Sequence, residues 1–103
     1  SDLVNSIIME NYREGRVVSA ICASPAVVFG PLGILNSGKA TCYPGCESYA
    51  PGITFLKDGV VVDGNVVTAK SAGWAFDLGI RLLEMLVDKE TAVKVRASIY
   101  YKD

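Results

Sequence analysis

A run of β-branched and small residues, Arg16-Val17-Val18-Ser19-Ala20-Ile21, passes directly into Cys22-Ala23-Ser24-Pro25. The run has no polar alternation beyond Ser19, which predicts a strand buried on both faces. Ser24 is a candidate N-cap and Pro25 fits the first helical position, so a helix is expected to open at once. A strand that feeds a helix across so short a link predicts an α/β chain with at least one parallel strand. That strand should be central in its sheet, yet a single helical segment precedes it. Its neighbours are therefore expected from outside this sequence.

With 103 residues and 11.0 kDa there is room for one small domain. Ten Lys+Arg against 11 Asp+Glu, scattered along the chain, leave a net charge of -1 and no basic stripe for nucleic acid. The chain contains no His, which removes every Cys-His or Ser-His pair and every His-ligated metal it could supply alone. Half of the residues are hydrophobic and the mean hydropathy is +0.32. A small domain this apolar is expected to turn some of its surface toward another chain or a missing segment.

Residues Val17 to Gly38 carry no charge and are numerous enough to span a bilayer. Pro25, Gly30, Pro31 and Gly33 interrupt them, so a strand, turn, buried helix and loop are expected rather than a membrane segment. Cys22, Cys42 and Cys46 are odd in number and lack framework spacing, and no leader pattern precedes them. The expected compartment is intracellular, reducing and cytoplasmic.

Elsewhere, Asp2 to Glu14 predicts an amphipathic helix with Leu3, Ile7, Ile8 and Tyr12 on one side and Gly15 ending it. The helix opened by Pro25 should continue to Leu35. Lys39 to Cys42 predicts a short strand ending at Pro44-Gly45, and Cys46 to Thr54 is irregular. Val60-Val61-Val62 and Val66-Val67-Thr68 flank Asp63-Gly64-Asn65 as a hairpin. Trp74 to Val87 predicts a helix with one narrow polar stripe of Asp77, Arg81, Glu84 and Asp88, and Lys89 to Tyr100 a final helix. Trp74, Phe76 and Met85 are expected in a core or an interface.

Cys22 is the sharpest chemical feature. A nucleophile elbow requires small residues two before and two after the nucleophile, and Ala20 and Ser24 meet that condition. A helix N-terminus aimed at the sulfur is expected to favour the thiolate. The plainer alternative is a small apolar core cysteine.

Val18-Ser19-Ala20-Ile21-Cys22-Ala23-Ser24-Pro25-Ala26 resembles the nucleophile-elbow segment of the ThiJ/PfpI family. Lys39-Ala40-Thr41-Cys42-Tyr43-Pro44, the Asp63 to Thr68 hairpin, Gly73 with the helix from Trp74, and the helix from Lys89 resemble later family features in the same order. The resemblance implies a flavodoxin-like three-layer α/β/α sandwich with a mostly parallel sheet. Residues 1–103 would then be the C-terminal half of one domain, with an added hairpin. It further implies a homodimer of the complete domain, and an N-terminal half supplying a glutamate for the cysteine and a glycine-rich loop for an oxyanion hole.

Within this chain the resemblance implies the N–H of Ala23 as an oxyanion donor. Tyr43 stands where several family members place a histidine, which leaves a proton-shuttle mechanism without its usual residue. The family's Ser-Arg-Gly-Pro-Gly turn becomes Ala69-Lys70-Ser71-Ala72-Gly73. Lys70 is expected either to face an anion, with Ser24 beside it, or to be solvated, the latter favoured. Cys42 and Cys46 lack two further ligands for zinc, so no metal and no cofactor are expected. Cys42 is a candidate to resolve a sulfenic acid on Cys22, against a plain structural role.

Three functions remain open. One is glyoxalase or deglycase chemistry, independent of glutathione, on a small reactive carbonyl such as methylglyoxal or an early glycation adduct, through a Cys22 thiolate. The second is an oxidation-sensing stress protein or holdase in which Cys22 is oxidised without turnover. The third is an inactive fragment.

Overall fold

The computed structural model describes residues 2–35 and 38–98, the side chains of residues 96–98 excepted. Helix α1 spans Asp2–Arg13. Gly15, at φ 77°, ends it: the Gly15 N–H bonds Tyr12 O at 3.1 Å and the Arg16 N–H bonds Asn11 O at 3.0 Å. This is the Schellman arrangement, and it needs a residue tolerant of the left-handed region. The inward face of α1 is carried by Ile8, Met9 and Tyr12, while Leu3 and Ile7 are exposed. The expected stripe is thus rotated by part of a turn.

Strand β1 is Val18–Ile21, β2 is Val60–Asp63 and β3 is Val66–Ala69, in the order β1-β3-β2. β1 runs parallel to β3 with Val18 opposite Val66 and Ile21 opposite Ala69, and β2 runs antiparallel to β3. The strand buried along its whole length is β3, not β1. β1 lies at the edge of the described sheet and Ser19 is exposed. The β-branched run predicted the strand correctly, but its burial depends on neighbours that the described sheet lacks.

The hairpin forms as expected. Gly64 takes a φ of 60° at the first of two turn positions, as a two-residue turn led by Gly requires. Asn65 Nδ2 donates to Tyr12 O at 3.1 Å and Arg16 O at 2.8 Å, while Asn65 O accepts the Val18 N–H at 2.9 Å. The hairpin tip therefore sets where β1 begins.

The segment after Cys22 differs from the regular helix expected to Leu35. A π-helical turn, Pro25–Phe29, closes with the Gly30 N–H on Pro25 O, and α2 covers only Gly30–Leu32 before Gly33 stops it at φ 79°. Gly30 lies against Ala50, whose Cβ would stand 2.7 Å from any Cβ added there. Phe29 is buried with Val18, Ile34, Leu35, Ala40 and Val66 in the principal core. Burial of a side chain of this size is worth about 1.5–3 kcal/mol.

Lys39 to Cys42 forms no strand: a single parallel bridge joins Ala40 to Phe55. A short 3-10 turn, Ala72–Trp74, leads into α3, Ala75–Leu86, and α4 follows at Lys89–Ser98. Ile99 and Tyr100, expected in the last helix, lie outside the described residues. α3 packs on β3 and against α4. Trp74 lies over buried Gly59, Met85 is half-buried, and Phe76 is 64% exposed.

The loop around Lys39 to Tyr43 is held by polar contacts. Thr41 and Thr68 are both 0% exposed; the Thr41 N–H donates to Thr68 Oγ1 at 2.9 Å and Thr41 Oγ1 donates to Leu56 O at 3.1 Å. The Lys39 N–H donates to Asp63 Oδ2 at 2.8 Å. Thr68→Val removes the acceptor and leaves a buried N–H unpaired, so the fold should lose about 1–3 kcal/mol in chemical denaturation. A variant as stable as the parent would contradict this.

Candidate functional site

The site forms where β1 ends. Cys22 is half-buried and has φ 66°, making it the one non-glycine residue with positive φ among the described residues. Two backbone bonds hold it. Its N–H extends the β1–β3 ladder to Ala69 O at 3.0 Å, and its carbonyl accepts the Tyr43 N–H at 2.7 Å. Between them the chain must reverse within one residue, and the left-handed region allows that reversal.

The helical segment begins at Ser24, and its first internal bonds run from the Ala26 and Val27 N–H groups to Ala23 O at 3.1 and 3.0 Å. The N–H groups of Ala23 and Ser24 precede these bonds and are left over by the helix. Pro25 has no N–H to add. Ser24 does not act as the predicted N-cap: it is itself helical, at φ -57° and ψ -36°, and its side chain makes no capping bond.

Tyr43 is brought to Cys22 through its backbone, with its side chain 48% exposed. Cys42, one residue earlier, is 3% exposed and its thiol donates to Tyr43 O at 3.6 Å. Burial first, then the charges of Glu47 and Cys46, push its pKa up to about 11. At neutral pH Cys42 is therefore a thiol and a weak nucleophile. Lys70 sits at the end of β3, on the side of the hairpin that faces the Lys57 to Gly59 segment. It is half-buried, with Nζ donating to Lys57 O at 3.2 Å and its N–H to Gly59 O at 2.8 Å, which ties the approach to β2 onto the end of β3.

An apolar cleft of about 320 Å³ opens beside the elbow, lined by Ile8, Ala20, Ile21, Ser24, Val28 and Phe29 among others. Among the described residues no group of three or more His, Cys, Asp or Glu is placed to hold a metal ion, and no helix is long and apolar enough to cross a membrane. The sequence reading missed the Thr41–Thr68 pair. Its signal was a threonine in a strand otherwise made of Val and Ala, where a hydroxyl must find a partner.

Two outcomes follow from this geometry. Cys22→Gly should be more stable than Cys22→Ala by about 1 kcal/mol, because only Gly takes the left-handed conformation without a Cβ penalty. Equal stabilities in urea titrations would refute the strained elbow. For Cys42, the folded value lies above the unfolded one near 9.0, so its stabilisation is complete below about pH 9 and is lost as pH rises toward 11. The loss is on the order of 2 kcal/mol, and Cys42→Ala should flatten that part of the stability profile; an unchanged slope would contradict it.

The sequence signature of the DJ-1/PfpI family matches residues 1–85. Protein DJ-1 homolog B of Arabidopsis thaliana is 37% identical over 93 residues, covering 89% of this chain and 21% of the plant protein. Glutathione-independent glyoxalase DJR-1.2 of Caenorhabditis elegans is 28% identical over 90 residues, covering 85% of this chain and 47% of the relative. The structure of oxidized Toxoplasma gondii DJ-1 superposes with a TM-score of 0.88 at 31% identity, over 96% of this chain and 54% of that one. The chain thus spans about half or less of the length of these relatives. The family signature covers most of the chain and the superposition agrees with its fold, and the chain belongs to the DJ-1/PfpI family, with its flavodoxin-like α/β fold.

Proposed function

We propose that the protein performs cofactor-independent glyoxalase or deglycase-type chemistry through Cys22. The observation that carries this reading is the left-handed Cys22 at a strand-to-helix junction, with the spare N–H groups of Ala23 and Ser24 beside it. The Cys22 thiolate attacks the aldehyde carbon of methylglyoxal, and the carbonyl oxygen becomes the oxyanion of a hemithioacetal. The Ala23 N–H lies next to that oxygen in elbow geometry and stabilises its charge. The C–H proton of the hemithioacetal then passes to the adjacent ketone carbon and its hydroxyl proton to the ketone oxygen, and water cleaves the resulting thioester to give lactate and free Cys22. The nematode relative named as a glutathione-independent glyoxalase supports the choice of chemistry.

The chain has no His to move that proton, and Tyr43 presents an exposed ring where a histidine would serve. We assign the base to a carboxylate in a companion N-terminal half of the domain, which would pair along the free edge of β1 and fill the cleft beside Ile21. The complete domain would form a homodimer in an intracellular compartment. Lys70 serves this site by closing the end of β3, and Cys42 serves it as a buried thiol holding Tyr43 O.

A second reading is oxidation sensing or holdase activity, in which Cys22 is oxidised to sulfinic acid without turnover. Its support is the half-buried, accessible Cys22 together with the Toxoplasma relative described in an oxidized form. The two readings separate on one assay. In the assembled protein, Cys22→Ser should lower methylglyoxal turnover on the order of a hundredfold or more, and Tyr43→Phe should change it much less. Turnover retained by Cys22→Ser would overturn the enzymatic reading. If the parent protein turns nothing over and gains oxygen mass on Cys22 with mild peroxide, the sensing reading replaces it.

A further inference from the structure

The turn after Thr41 carries chemistry that the Cys22 site does not use. Tyr43-Pro44-Gly45-Cys46 is a hydrogen-bonded turn, with the Cys46 N–H on Tyr43 O at 3.0 Å, Pro44 in second place and Gly45 at φ 99° in third. Pro at the second position and a left-handed Gly at the third fix such a turn tightly. The Gly45 N–H donates to Glu47 Oε1 at 2.8 Å, which holds the far side as well. Cys42 precedes the turn and Cys46 closes it, and the Cys46 backbone N–H and the Cys42 side chain meet at one atom. The Cys42 thiol reaches the same Tyr43 oxygen at 3.6 Å. Both side chains also belong to one small apolar cluster with Ala26 and Ala50.

The two sulfurs differ in access. Cys46 is half-buried, whereas Cys42 is buried, and each is a free thiol. Two free thiols packed on one cluster at either end of a rigid turn, one more reachable and one covered, are arranged to be oxidised in sequence.

We propose that Cys42 and Cys46 form a reversible disulfide across the Tyr43-Pro44-Gly45 turn when the protein meets a hydroperoxide, a modification site separate from Cys22. The Cys46 sulfur attacks the peroxide oxygen: the O–O bond breaks, an S–O bond forms, and the alcohol or water leaves with a proton. The Cys42 sulfur, slow to react while it keeps its proton, then attacks the Cys46 sulfur. The S–S bond forms, the S–O bond breaks, and the departing oxygen takes the Cys42 proton as water. Two thiols lose two electrons in total and the hydroperoxide gains them. The turn touches the elbow through the Tyr43 N–H, but the reaction consumes neither Cys22 nor its substrate.

The test is peroxide treatment of the native protein, alkylation of the remaining thiols after denaturation, and tryptic mapping with hydrogen peroxide as the probe. Cleavage after Lys39 and Lys57 places Cys42 and Cys46 together on peptide 40–57 and Cys22 on peptide 17–39. Peptide 40–57 should lose both alkyl labels and the mass of two hydrogens, and a thiol reductant should restore both labels. The same result is expected in Cys22→Ser, while Cys46→Ser should leave Cys42 labelled. Two labels retained on peptide 40–57 at doses that oxidise Cys22 would overturn the proposal. So would recovery of that peptide cross-linked to peptide 17–39, which would make Cys42 the partner of Cys22 instead.

Discussion

Everything at the site depends on one backbone arrangement, the left-handed Cys22 clamped between the Ala69 carbonyl and the Tyr43 N–H. A Cys in that region costs on the order of 1 kcal/mol, and it persists because both bonds are made by elements fixed elsewhere. Ala69 belongs to the fully buried β3, and Tyr43 to a loop anchored at Thr41. Release either bond and the sulfur no longer sits at the start of the helical segment.

The anchoring loop shows how polar groups position a site inside an apolar core. Thr41 has no strand ladder to join, since the segment makes only one bridge, at Ala40. Its N–H and hydroxyl are satisfied by Thr68 and Leu56 instead, so a segment with few backbone bonds is still placed at full burial. A polar pair of this kind specifies position more than it adds stability, because its alternatives leave unpaired groups. The π-helical turn follows the same logic: Pro25 supplies no N–H, and Gly30 admits Ala50 at close range.

Features set by local chemistry were legible in the sequence. Gly15 as a helix stop, the Gly64 turn, the strand running into Cys22 and the small residues around it each follow from a few neighbouring positions. Features set by distant partners were not. The β-branched run at Val17 to Ile21 reads as doubly buried with neighbours from outside the sequence, and β1 is an edge strand in the described sheet, so the identity of what covers it is not written in these residues. Ser24 reads as a cap, yet the helical segment starts one residue earlier than a cap would allow. Lys70 reads as a solvated or anion-facing cation, and only the fold brings the Lys57 carbonyl to it. The covered thiol of Cys42 likewise depends on Ala26 and Ala50, which the fold brings in from two other segments.

The central claim is that elbow geometry, rather than exposure alone, makes Cys22 the reactive residue. Cys22 and Cys46 are both half-buried, so they provide an internal comparison. The most direct measurement is the rate of alkylation of each cysteine in the native protein under limiting iodoacetamide, read by peptide mapping. The account predicts that Cys22 reacts first, Cys46 later and Cys42 last. Cys46 reacting ahead of Cys22 would mean that the strand-to-helix junction confers no special reactivity, and the account would fail.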